Sequence, residues 1–280
     1  MRIIDLREKH ELLYFQCLED WSVEMKEAGG HKENWYRRMK EQGLRVKLAC
    51  DEQGVVGGMI QYLPAEKTHI DASGLYFIYC IWVHGYTKGR GDFQKRGMGR
   101  ALLEAAEEDV RVLGAAGMAA WGLMLPFFMR ASWFTKRGYR VADRDGIALL
   151  VWKPFSPDAR PPRWRSAKKT PQPVPGQVTV SGFINSWCPV QNMVFERACR
   201  AAAASGENVV FKPHCTADPE VFAEWGISDG VYIDGKPIGK GSPVSYERIR
   251  AAIESGTPVG QNADQRRTLC RTRCAALSRS

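Results

Sequence analysis

LYFIYCIWVHGYTKGRGDFQKRGMGRALLEAAEE, residues 75–108, is the stretch whose reading decides the fold. Leu75 to Val83 is a nearly unbroken run of apolar and aromatic strand formers, as long as a buried strand and too short to span a membrane. A polar loop interrupted by glycines follows. From Gly97 the spacing turns helical, with Ala101, Leu102, Ala105 and Ala106 on one side and Glu104, Glu107 and Glu108 largely on another. A strand hands the chain to a helix.

The junction is Gln94-Lys95-Arg96-Gly97-Met98-Gly99-Arg100. Two glycines at the mouth of a helix let another molecule come close to the backbone, and the first-turn amides there lack intrahelical partners. Free amides and the positive end of the helix dipole favour phosphate oxygens. Lys95, Arg96 and Arg100 add charge that suits a diphosphate. On glycine spacing alone, a turn carrying a solvated basic cluster accounts for the residues equally well.

The order Q-x-x-G-x-G, with a buried strand before it and an amphipathic helix after it, resembles the acetyl-CoA-binding motif of the GNAT acetyltransferase superfamily, R/Q-x-x-G-x-G/A. Gln94, Gly97 and Gly99 stand in the matching places. Further on, Ala131-Ser132-Trp133-Phe134-Thr135-Lys136-Arg137-Gly138-Tyr139 resembles that family's second signature. The resemblance covers about residues 1–154 and implies an α/β class chain: an α+β GNAT fold with a mixed central sheet. It implies acetyl-CoA as cosubstrate, its pyrophosphate held by Gln94, Lys95, Arg96, Gly97, Met98, Gly99 and Arg100. It also implies that the pantetheine arm bonds the strand end at Ile81, Trp82 and Val83.

Acetyl transfer from a thioester to an amine needs a fixed donor, a neutral amine and a proton for the departing thiolate. The tyrosine that many members use as general acid matches Phe134, which has no proton to give. The titratable groups near the strand end are Tyr79, Cys80, His84, Tyr86 and Asp92. His84 is the foremost acid/base candidate, with Tyr79 and Cys80 beside it, because an imidazole titrates near neutral pH and His84 directly follows the strand. Trp21, Trp35 and Tyr36 suit either a wall of the acceptor site or core packing.

At 280 residues the chain has room for two domains, and a hydrophobic fraction of 44% supplies their cores. No window reaches about 18 consecutive apolar residues. The opening MRIIDLREKHELL lacks a long apolar stretch and a cleavage site, so a soluble cytoplasmic protein with no membrane partner is expected. The net charge of +9 is concentrated in residues 160–169 and 266–279. Solvated flexible segments explain that charge, no groove-reading motif accompanies it, and nucleic acid is not expected as a partner. Eight scattered cysteines suit reduced thiols in a cytosolic protein. Cys270 and Cys274 form only a C-x3-C pair, so no metal site is expected.

In chain order, residues 1–7 suit an edge strand, 8–21 and 32–42 helices, and 44–50 and 55–63 a hairpin. After the central helix, 117–123 suits a strand, Pro126 to Lys136 a helix ended by Gly138, and 139–141 and 147–152 short strands. Residues 155–177, rich in proline and basic residues, form a linker. Residues 178–256 carry a β-α-β-α-β-β-α pattern, and 257–280 a basic tail.

The second pattern, with Trp187-Cys188-Pro189 at its strand-to-helix junction, resembles a thioredoxin or glutaredoxin fold, and the pairing with a GNAT domain resembles the YoaP-type acetyltransferases. Cys188 takes the place of the family's attacking thiol, but Gln191 stands where the resolving cysteine would be, and Asp229 where the cis-proline would be. A dithiol cycle at this motif is excluded, which favours an accessory domain for substrate or partner binding. A spatial pairing of Cys188 with Cys215 stays open. The leading expectation is an N-acetyltransferase for a small-molecule or peptide amine. The alternative is a thiol-redox or electrophile-binding protein centred on Cys188 with a CoA-sensing GNAT domain.

Overall fold

The computed structural model describes residues 1–125, 128–239 and 243–256. Contacts divide the chain into two units, one of residues 1–22 with 36–165, the other of residues 23–35 with those from Ser166 onward. The N-terminal unit therefore runs past residue 154 and cedes a short segment to the C-terminal one.

In chain order the first unit carries β1 (Arg2–Asp5), α1 (Glu11–Phe15), most of α2 (His31–Glu41), β2 (Arg45–Cys50), β3 (Val56–Pro64), β4 (Ile70–Asp71), β5 (Leu75–Val83), β6 (Gly85–Tyr86) and β7 (Gly91–Asp92). It continues with α3 (Met98–Val112), β8 (Gly117–Leu123), α4 (Ala131–Thr135), β9 (Arg140–Asp145), β10 (Ala148–Pro154) and β11 (Arg163–Trp164). Seven strands form one mixed sheet in the order β1-β2-β3-β5-β8-β10-β9. Every neighbouring pair is antiparallel except β5 and β8. A parallel pair needs a crossover, and α3 supplies it. The class is the expected α/β one with a mixed central sheet. Helix α3 buries Met98, Leu102, Leu103, Ala106 and Val110 against Ile60, Ile78, Met118, Ala120 and Val151. That apolar stripe fixes the helix start beside the end of β5.

Three expectations shift. The helix foreseen over 8–21 holds only as a turn at Glu8–His10 and α1, because Cys17 and Leu18 adopt left-handed φ of 50° and 65°. The helix foreseen from Pro126 begins at Ala131, Pro126 itself lying outside the described residues; Gly138, at φ 87°, follows its end as foreseen. Gly122 lets α4 approach β8, since a Cβ there would lie 2.7 Å from Ala131 Cα. The linker is partly structured: β11 pairs with β4, Trp164 N–H donates to Asp143 (2.8 Å), and the Trp164 ring stacks on His69.

The second unit carries β12 (Val178–Ile184), α5 (Pro189–Ala204), β13 (Val209–Cys215), α6 (Pro219–Trp225), β14 (Gly230–Ile233), β15 (Lys236–Pro237) and α7 (Tyr246–Gly256). Its sheet order is β13-β12-β14-β15, with β12 and β13 parallel and β14 antiparallel to both its neighbours. Val178, Val180, Ala198, Ala201, Ile249 and Ile253 lie in its core. The ceded segment is held here by charge: Arg197 donates to Glu27 at 3.0 Å, Arg200 also bonds Glu27, and His31 meets Glu196 at 2.7 Å. The expected tail and its Cys270 and Cys274 lie outside the described residues. No helix among the described residues is long and apolar enough to cross a membrane.

Candidate active site

Strands β5 and β8 pair only where Leu75–Ile78 meets Gly117–Ala120, although both continue, to Val83 and Leu123. On its other edge β5 keeps β3 as a partner through Val83, with a register shift that sets Gln61 opposite Cys80 and Tyr62 opposite Ile78. Tyr79 is thus the extra residue of a bulge, a feature that bends a strand and re-aims its groups. Trp121 of β8 stands where the strands part, and its indole N–H donates to the Tyr79 carbonyl at 2.8 Å. A side chain replaces the missing ladder bond.

Past this wedge lies a cavity of about 620 Å³. Ile81, Trp82 and Val83 of β5 form one wall, and Gln94, Lys95, Gly97, Met98, Gly99 and Arg100 another. Local rules shape the second wall. Asp92 Oδ1 accepts from the Gln94 amide at 2.8 Å, and Lys95 and Gly97 sit at φ 60° and 84°. Gly97 caps α3 without any side-chain bond, and the first backbone bond of that turn runs from Ala101 to Gly97. The amides of Met98, Gly99 and Arg100 precede it and have no intrahelical acceptor. A Cβ on Gly99 would lie 3.4 Å from Trp133, so the helix start meets that ring closely.

The remaining wall is Phe93, Phe128, Met129, Arg130, Trp133, Phe134 and Arg137. Arg137 lies 3.9 Å above the Trp133 ring and donates to the Trp133 carbonyl at 2.6 Å, leaving its buried Nε without a partner among the described residues. Burial, and then Arg100 nearby, push this guanidinium below its ordinary value. The first reflects lost hydration and the second a like charge, with Glu104 acting the other way.

No family model matches this sequence, and no curated protein matches it. Its structural neighbours are GNAT-family N-acetyltransferases. A GNAT family acetyltransferase from Brucella melitensis in complex with acetyl-CoA is 16% identical with a TM-score of 0.39, over 57% of this chain and 90% of that one. One from Staphylococcus aureus is 14% identical with a TM-score of 0.41, over 55% and 99%. A GNAT family N-acetyltransferase from Escherichia coli in complex with CoA is 12% identical with a TM-score of 0.41, over 58% and 88%.

Of the residues expected to hold the donor, all but Arg96 line the cavity; the Arg96 guanidinium lies 5.4 Å over the Phe93 ring instead. Phe93, Phe128, Met129, Arg130, Trp133 and Arg137 were not foreseen as site residues. Trp133 and Arg137 lie within the second signature, which is the signal that marks them.

The acid/base candidates fare differently. His84 is fully buried and does not line the cavity. Its Nδ1 lies 2.8 Å from the Gly91 carbonyl, and its Nε2 2.9 Å from the Trp21 indole N–H. A carbonyl only accepts and an indole only donates, so Nδ1 carries the proton and Nε2 accepts. Both nitrogens bond other groups of the same unit, and His84 is not part of the cavity lining. Tyr79 is buried with its ring against Phe77 (5.2 Å) and His69 (5.4 Å), and Cys80 is buried beside it in the strand. Neither lines the cavity. Phe134 does line it, as a fully buried ring. The described lining holds cations, rings and backbone, and no carboxylate, imidazole or thiol.

In the second unit Cys188 is the N-cap of α5, with Pro189 the first helical residue and Gln191 in the first turn. Cys215 ends β13 opposite Ile184. Both thiols are half-buried and neither is in a disulfide, so no disulfide joins them. Asp229 Oδ1 accepts from the Asn185 amide (3.0 Å) and Oδ2 from the Ser228 hydroxyl (2.6 Å). Burial raises this carboxyl above its ordinary value, against the lowering effect of those two bonds.

Proposed function

We propose that the N-terminal unit is an acetyl-CoA-dependent N-acetyltransferase in which an amine attacks the thioester directly. The observation that carries this reading is the parting of β5 from β8 beside the uncapped start of α3. A diphosphate suits the amides of Met98, Gly99 and Arg100 together with Lys95, Arg100 and Arg137, and an extended amide-bearing arm suits the free edge at Ile81–Val83. At the thioester the amine nitrogen forms a bond to the acetyl carbon, the carbon–sulfur bond breaks, and the thiolate leaves. The nitrogen then gives up its extra proton to water. With no carboxylate, imidazole or thiol in the described lining, positioning of two reactants supplies most of the rate.

The second unit is proposed to be a thioredoxin-like domain of the YoaP type, a reading supported by its strand order and by Cys188 at the start of α5. Gln191 in that first turn favours an accessory role in recruiting the acceptor. Cys188 and Cys215, neither of them in a disulfide, favour as a second reading a thiol-redox or electrophile-binding protein whose N-terminal unit senses CoA.

Calorimetry with acetyl-CoA tests the first reading. Wild type is expected to bind and Gly99→Glu to lose binding; equal binding by both refutes the phosphate assignment. Release of CoA with an amine panel is expected to survive Cys188→Ser. Its loss in that variant, with acetyl-CoA binding intact, supports the second reading instead.

A further inference from the structure

The two strand edges at the parting are finished differently. On β8 the Leu123 amide donates to the Met129 carbonyl at 2.7 Å and Leu123 bridges Arg130, so the returning chain covers that edge. On β5 the pairing with β3 decides which amides are left over. The His84 amide donates to the Gly57 carbonyl at 2.9 Å, one step beyond the Val83–Gly58 pair. Bonded pairs alternate along an antiparallel ladder, so Trp82 bonds β3 while Ile81 and Val83 turn their amides and carbonyls away from it. Those groups face the edge that β8 has left, and both residues line the donor cavity.

Trp121 stands at the point where this edge opens. It follows Ala120, the last residue of β8 paired with β5, and its indole reaches across to the Tyr79 carbonyl. A side chain plus a hydrogen bond is a longer link than the direct backbone bond that sets neighbouring strands about 4.8 Å apart. The Trp121 ring meets Phe128 at 5.9 Å and is itself outside the cavity lining. The buried Tyr79 ring is held by Phe77 at 5.2 Å and by His69 at 5.4 Å, and His69 stacks on Trp164 of β11. The Tyr79 carbonyl therefore keeps its aim toward Trp121 unless a packed ring moves with it.

We infer that Trp121 is a positioning residue for the donor, its indole holding the β5 edge open so that Ile81 and Val83 meet the amide groups of the pantetheine arm. This rests on the acetyl-CoA reading. The test is hydrogen exchange on the full chain, wild type and Trp121→Phe, which keeps a ring and loses the N–H. With acetyl-CoA at about 100 times each protein's Kd, wild type is expected to slow at Ile81, Val83 and Met98 to Arg100, by up to about 100-fold. In Trp121→Phe the slowing is expected to persist at Met98 to Arg100 and to be lost at Ile81 and Val83, with acetyl-CoA affinity about 5–30-fold weaker. Slowing that persists at Ile81 and Val83 in the variant, or that vanishes at all of these amides, overturns the inference. So does a wild type that slows at Met98 to Arg100 and not at Ile81 and Val83, a result that does not depend on the variant folding. A wild type that does not bind acetyl-CoA takes down the acetyl-CoA reading itself, and is recognised by calorimetry before any exchange is measured.

Discussion

His84→Ala separates a structural histidine from a catalytic one. The wild-type ring is fully buried, accepts from Trp21 at 2.9 Å and donates to Gly91 at 2.8 Å. Truncation leaves an indole N–H and a carbonyl without partners, at about 1–3 kcal/mol each, and adds a void where the ring stood. A loss of about 3–5 kcal/mol follows, which for a unit of this size lowers the melting temperature by on the order of 10 °C. The backbone bonds His84 to Gly57 and Phe93 to His84, both 2.9 Å, frame the same loop. Their amides are expected to exchange hydrogen faster in the variant. His84→Asn, whose amide reproduces the donor toward Gly91, is expected to recover part of the loss. Circular-dichroism melting and hydrogen exchange check both outcomes. An Ala variant that melts like wild type but loses one limb of its pH–rate profile would refute this assignment and restore His84 as a base.

Arg100→Gln removes a cation that faces both Arg137 and the positive end of α3, so CoA affinity is expected to fall several-fold at low ionic strength and by less at about 0.5 M salt, where charges are screened. Calorimetry at the two salt concentrations checks it, and equal affinities would remove Arg100 from the phosphate site. Gly97→Ala meets open space but a φ of 84°, and is expected to cost about 1–2 kcal/mol in urea denaturation, with Gly97→Asn costing less. For Asp229 the folded value is raised, so its protonated form stabilises the second unit below the unfolded value, and that contribution is lost as pH rises through the raised one. Urea midpoints of wild type are expected to fall relative to Asp229→Asn across that rise; parallel pH curves would contradict it.

How much of this was legible depends on how local the deciding contacts are. β5 was read correctly because its residues are apolar on consecutive positions, as a central strand flanked on both edges requires. Helix α6, the second helix of the expected β-α-β-α-β-β-α pattern, is also locally set, with Pro219 at its first position and Asp218 accepting from the Glu220 amide. The failure over 8–21 came from counting apolar residues: Leu12 is 71% exposed, and two left-handed residues, Cys17 and Leu18, turn the chain instead. The cavity walls at Ile81–Val83 and, Arg96 apart, Gln94–Arg100 are contiguous runs, which is why they were legible. Phe128 and Arg130 reach the cavity only because α4 folds back onto β8. The burial of His84 was not legible because its partner Trp21 lies 63 residues earlier, beyond any periodicity.

The parting of β5 and β8 needs a physical reason, since a parallel pair would gain bonds by continuing. Trp121 donates to one carbonyl at the parting, that of Tyr79. Inside a fold, remaining polar groups are expected to find partners, and here Trp82 Nε1 and Arg137 Nε find none among the described residues. Both belong to residues of the cavity lining, which also holds Lys95, Arg100 and Arg130, with Arg100 paired to Glu104 at 3.8 Å. On the donor reading proposed above, an arrangement that forgoes sheet bonds and leaves these two donors unmet is one that an extended anion bearing acceptors along its length would stabilise. Such a ligand raises the stability of the folded unit in proportion to the logarithm of its concentration over Kd. The cost of the open strand edge in the free protein thus becomes affinity when the edge is filled.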